Sequence, residues 1–93
     1  MKELIERNYA ATVKRGLINE DTDKIDFLLK IEEEFDEVYE EFFKSKIDQF
    51  DLQKYASELM DLAAVCINNV KHLGLDPIKE FEKVVIKNET RED

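Results

Sequence analysis

Glycine and proline are almost missing from this chain, which has two of the first and one of the second in 93 residues. A turn-rich β fold needs such residues at short intervals, so their scarcity favours long helices. Tryptophan is absent, and cysteine and histidine occur once each. One cysteine excludes an internal disulfide and fits a reducing compartment. A chain with only His72 and Cys66 also serves metals that want nitrogen or sulfur poorly. No apolar run approaches the ~18–20 residues of a membrane span. The opening "MKELIERNYA" carries charge where a signal peptide would be apolar. Positive charge is the minority sign, with 14 Lys and Arg against 23 Asp and Glu. The resulting net charge of −9 repels a phosphate backbone. The expectation is a cytoplasmic, water-soluble protein that binds neither membrane nor nucleic acid.

What is present reads as one all-α domain over residues 1–93, built from four helices. The first is expected from Lys2 to Arg15, with Leu4, Ile5, Tyr9 and Val13 at helical spacing and Gly16 as its stop. Asp21, Thr22 and Asp23 can each cap a second helix, placed at Asp23 to Ser45. Its apolar stripe holds Phe27, Leu28, Ile31, Phe35, Val38, Tyr39 and Phe42. After a break around "SKIDQFD", Asp51 caps a third helix that runs to Leu73, and Gly74 ends it. Asp76 and Pro77 then start a fourth helix reaching Asn88, with "ETRED" frayed beyond it.

The third helix contains "LMDLAAVCI", residues 59–67, in which Asp61 is the only residue that is not apolar. So apolar a helix is expected at the centre of a bundle or covered by a second subunit, and homo-oligomerisation is the favoured outcome. Cys66 is expected in the core. Asp61 is expected to be buried, and a buried carboxylate must be protonated, paired or bound to a metal. Glu58 lies three residues earlier on the same face. The second helix repeats the spacing with Glu34 and Glu37, about 60° apart on the helical wheel, Glu34 at the edge of the core stripe and Glu37 one step further round. Two antiparallel helices that each present an i, i+3 acid pair can gather four carboxylates. Such a cluster calls for a cation, and oxygen-only ligands suit Mg²⁺ or Mn²⁺. Glu32, Asp36, Glu40 and Glu41 read instead as a solvated face.

The motifs "EEFDE" (Glu33, Glu34, Glu37) and "ELMD" (Glu58, Asp61), twenty residues apart, resemble the E-E-x-x-E … E-x-x-D signature of the MazG-like all-α nucleoside triphosphate pyrophosphohydrolases. "KIEEEFDEV" and "NNVKHLGLDP" are similar to segments around that signature, and the resemblance covers residues 30–91. It implies a four-helix MazG-like bundle completed by homo-oligomerisation, as a dimer or tetramer. The implied activity is Mg²⁺-dependent cleavage of a nucleoside triphosphate to the monophosphate and pyrophosphate. Glu34, Glu37, Glu58 and Asp61 take the place of the metal ligands, with Mn²⁺ as a possible substitute ion. Glu33 stands where a residue orients or deprotonates the attacking water. Asp36 departs from the pattern, since relatives commonly have a small residue there.

For phosphate, the fourth helix offers a basic ridge of Lys79, Lys83, Lys87 and Arg91, with Asn88 beside it. Lys83, Lys87, Asn88 and Arg91 are the substrate-binding candidates, set against a plain surface stripe paired with Glu80 and Glu82. Asn68 matches a recurrent asparagine of the family and is the candidate for the base. Tyr9, Phe27 and Tyr39 are stacking candidates, although aromatics at helical spacing usually belong to a core. His72 is expected to face solvent near a helix C-terminus. The competing reading is a catalytically silent helical interaction or regulatory module of the same fold.

Overall fold

The computed structural model describes residues 1–44 and 51–91. Four α-helices follow one another: α1 (Lys2–Lys14), α2 (Lys24–Lys44), α3 (Leu52–His72) and α4 (Pro77–Thr90). The described residues contain no strand. The expected end of the second helix at Ser45, most of the break after it, and Glu92 and Asp93 lie outside the described residues.

Local chemistry sets the helix ends. Asp23 caps α2 by accepting from the Ile25 amide at 2.9 Å, while Asp26 reaches back to the Asp23 amide at 3.0 Å. This reciprocal box satisfies donors that the first turn leaves open. Asp51 caps α3 through the Lys54 amide, and Asp76 caps α4 through the Ile78 amide with Pro77 just inside. Gly16 and Gly74 adopt φ of 78° and 86°, the left-handed conformation that follows a helix end. At Gly74 the pattern is a full Schellman closure, with Gly74 N–H on the Lys71 carbonyl and Leu75 N–H on the Val70 carbonyl. The fourth helix runs two residues beyond the expected Asn88, to Thr90.

Helices α2 and α3 pack side by side and antiparallel. Their register follows from three rungs: Phe27 meets His72, Glu34 and Glu37 meet Glu58, and Glu41 meets Lys54. Helix α1 lies against α3, and α4 touches it near the chain reversal at Gly74.

Among the described residues only Ile5, Ile18, Phe27 and Val38 are buried apolar side chains, joined by the polar Glu34, Glu41 and Asn68. The molecule is a plate of 43 × 42 × 25 Å with a radius of gyration of 15.4 Å. A compact domain of this length has about 12 Å. Within the single chain α3 is not enclosed at the centre of a bundle: Leu59 is 41% exposed and Met60 66%, and Cys66 is exposed rather than in the core. The other three helices of one chain do not cover the full circumference of the apolar stretch 59–67. No helix among the described residues is long and apolar enough to cross a membrane.

Candidate functional site

The antiparallel register carries Glu34 and Glu37 of α2 to the level of Glu58 on α3. One carboxylate oxygen from each lies within 4.8 Å of the other two. Glu34 points into the seam because it lies about two helical turns after Phe27 and two before Glu41, all on the covered face of α2. Lys30, one turn earlier, places its ammonium 3.4 Å from Glu34 Oε1 and 3.5 Å from Glu33.

That lysine does not satisfy the cluster. Oε2 of Glu34 and Oε2 of Glu58 are buried and accept no hydrogen bond. Burial pushes the Glu34 carboxyl above its ordinary value; the Lys30 hydrogen bond opposes the shift and the charge of Glu37 adds to it. Burial also pulls Lys30 down, but its hydrogen bond to Glu34 and the charges of Glu33 and Glu34 outweigh that and hold it high. Desolvated carboxylate oxygens without donors are costly. The donor set is oxygen only and partly charge-balanced, which fits a hard divalent cation better than a soft one.

Beside the acids opens a cavity of about 530 Å³ between α1, the connector to α2, and the α2–α3 seam. Its volume is in the range of small-molecule sites. Glu33, Glu34, Asp61 and Lys30 line one end. Phe27, Ile18, Ala64 and Val65 line the other, together with a polar group of Asn8, Thr12 and Asn68. Arg15, at the end of α1, faces the same space and forms no ion pair among the described residues. The two ends are seven residues apart on both helices, Phe27 to Glu34 and Asn68 to Asp61, about 10 Å of helical rise.

Other expected site residues are placed differently. Asp61 lines the cavity but is exposed, not buried, and it is not part of the three-carboxylate cluster. Ala64 and Val65, one turn further along the same face, line the cavity with it, and the cavity rather than packed side chains lies over Asp61. Lys83, Lys87 and Asn88 are exposed on α4, Arg91 follows the last turn, and none of the four lines the cavity. Lys83 pairs with Glu80 at 3.1 Å. Glu32, Asp36 and Glu40 are exposed as expected. Glu41 is not: it is 8% exposed and joins Lys44 at 3.1 Å and Lys54 at 3.2 Å. Of the aromatics, Phe27 is buried, Tyr39 is 54% exposed beside Phe43 and Phe35, and Tyr9 packs near His72.

His72 also departs from expectation, being half-buried and bridging two elements. A carbonyl can only accept, so Nε2 donates to the Thr22 carbonyl at 2.7 Å, and Nδ1 accepts from the Tyr9 hydroxyl at 2.8 Å. Nothing local in the sequence signals this, because its partners are 50 and 63 residues away. Asn8 and Thr12 were likewise invisible as site residues, although their i, i+4 spacing marks one face of α1. Compared with known protein families, curated proteins and solved structures, the chain matches none.

Proposed function

We propose that this protein is a Mg²⁺-dependent nucleoside triphosphate pyrophosphohydrolase of the MazG-like type, working as a homo-oligomer. The observation that carries the reading is the meeting of Glu34, Glu37 and Glu58 from two helices, with two buried carboxylate oxygens unsatisfied, beside a cavity of about 530 Å³ that Glu34 lines. Glu34, Glu37 and Glu58 would hold Mg²⁺, or Mn²⁺, with Asp61 reaching the same ion from its exposed position on α3. When bound, the ion lowers the pKa of a coordinated water and offsets charge on the phosphates. Glu33, on the cavity wall and 3.5 Å from Lys30, is suited to orient that water. Lys30 and Arg15 offer positive charge to the phosphates from within the chain.

A role for Lys83, Lys87, Asn88 and Arg91 requires a second subunit that lays α4 across this cavity. The exposed apolar side of α4, with Phe81 68% and Val84 42% exposed, supports such an assembly. The same surface favours the second reading, a silent interaction module, in which burial of α4 is the function itself. An assay separates the two: purified protein is incubated with canonical and modified triphosphates, with and without Mg²⁺, and pyrophosphate and monophosphate are measured. Metal-dependent release of both products, lost in Glu37→Gln with the helical content retained, is the expected result. A stable oligomer that releases neither product from any triphosphate sinks the hydrolase and leaves the interaction module.

A further inference from the structure

The end of the cavity away from the acids is built around one amide. Asn68 is 4% exposed, the same as Ile18 and less than any other buried residue of the described chain. Its Oδ1 accepts from Asn8 Nδ2 at 3.2 Å, and its Nδ2 donates to Thr12 Oγ1 at 3.3 Å. An amide offers two donors and two lone pairs, so one N–H and one lone pair are left over on a side chain that lines the cavity. Burial makes unspent polar capacity expensive, and a ligand that uses it is favoured.

Thr12 decides which way round that amide sits. Its hydroxyl hydrogen is engaged by the Asn8 carbonyl at 2.8 Å, so toward Asn68 the oxygen can only accept. An acceptor demands the Nδ2 end. Asn8 Nδ2 then meets Oδ1 on the other side, and both contacts agree on one orientation. The remaining N–H and lone pair of Asn68 are therefore presented in a fixed order. Beside them, Phe27, Ile18, Ala64 and Val65 supply an apolar wall of the kind a flat heterocycle occupies.

We infer that this pole of the cavity reads a nucleobase edge through Asn68, and that Thr12 and Asn8 of α1 are positioning residues that set base preference by fixing the Asn68 amide. The inference deepens the hydrolase reading, since it places the nucleoside two helical turns from the carboxylates. It makes α1 the specificity helix, outside the stretch that holds the acidic motifs. Thr12 acts through Asn68 and need not touch the base.

The test ranks the four deoxynucleoside triphosphates by kcat/KM with Mg²⁺ for the wild type, Thr12→Val and Thr12→Ser. Valine keeps the shape and removes the acceptor. The ratio between best and worst base should fall about tenfold in Thr12→Val, mainly through KM, and return in Thr12→Ser. Alongside, the side-chain amide resonances of Asn8 and Asn68 are followed by NMR in metal-free buffer while nucleoside monophosphates are added. Saturable shifts for the preferred base, lost in Thr12→Val, are expected. An unchanged ranking in a folded Thr12→Val protein, or Asn68 signals that stay still for every nucleotide, overturns the inference. If no triphosphate is hydrolysed, the hydrolase reading fails separately. The metal-free titration then decides the base site alone, with shifts at Asn68 supporting it and none overturning it.

Discussion

The α2–α3 seam and helix α4 divide their polarity in opposite ways. In the seam, polar groups are inside: Glu34 and Glu41 are each 8% exposed, with Asn68 buried nearby. On α4 the apolar groups are outside. No residue of that helix is buried, and Phe81, Val84, Val85 and Ile86 all stand in solvent. A finished globule does the reverse in both places. The contrast separates two jobs. The seam fixes the direction of charged and amide groups within one chain, by register and hydrogen bonds. Helix α4 does little for that geometry, and what it offers is uncovered apolar surface.

Breaking the seam should give the largest effect. Substituting a residue that merely orients a metal ligand typically costs 10–100-fold, so removing a ligand should cost at least about 100-fold. Glu58→Gln is expected to reduce Mg²⁺-dependent pyrophosphate release by that factor or more. Its thermal midpoint in metal-free buffer should hold or rise, because a buried charge without a donor has been removed. Loss of activity accompanied by a large loss of metal-free stability would mean that Glu58 holds the fold instead.

Breaking α4 should leave the seam intact and act on assembly. Phe81→Asp puts a charge at the most exposed aromatic of the described residues. If a second copy covers this face, the substitution should weaken association by about 2 kcal/mol or more, read as a shift toward monomer in sedimentation. A wild-type protein that is already monomeric at all concentrations, with a variant indistinguishable from it, would refute homo-oligomerisation through α4.

Metal binding sharpens the contrast without mutation. Mg²⁺ at tenfold its dissociation constant should stabilise the seam by about 1.4 kcal/mol, several degrees in melting temperature. The shift should survive Phe81→Asp and vanish in Glu58→Gln. A shift that behaves the other way would put the ion at the assembly face.

Much of the helical frame could be read from local chemistry. Asp23, Asp51 and Asp76 cap where their neighbours require it, Gly16 and Gly74 end helices at positive φ, and the wheel put Glu34 at the core edge. These features depend on residues within a turn or two. What depends on which side is covered was not legible. The run around Asp61 is apolar in composition, yet composition does not say that a single chain leaves that side of α3 open. Glu41 looked like one more acid in a charged run. Its placement needs the register, in which two turns beyond Glu34 on α2 falls opposite Lys54 on α3. The triad, the His72 bridge and the Asn68 group all need such long-range pairing, and periodicity alone does not supply it.

Glu41 gives the smallest and most specific prediction, since it holds the seam from the end opposite Asn68. The hydrogen bond from Lys44, aided by Lys54 and opposed by desolvation, keeps its carboxyl below the ordinary value of 4.5. A depressed carboxylate stabilises the folded state at pH above its unfolded value, and the benefit is lost as pH falls through the folded one. The wild type should therefore lose stability from about pH 4.5 downward, and Glu41→Gln should lose less of it over the same interval. Lys54→Met should flatten the curve in the same direction, because it removes the cross-helix partner and leaves Lys44. Urea midpoints measured at steps of pH check both variants. Parallel curves for wild type and Glu41→Gln would show that the clamp contributes nothing dependent on its charge, and that α2 and α3 are held in register by Phe27, Val38 and the polar groups at the other end.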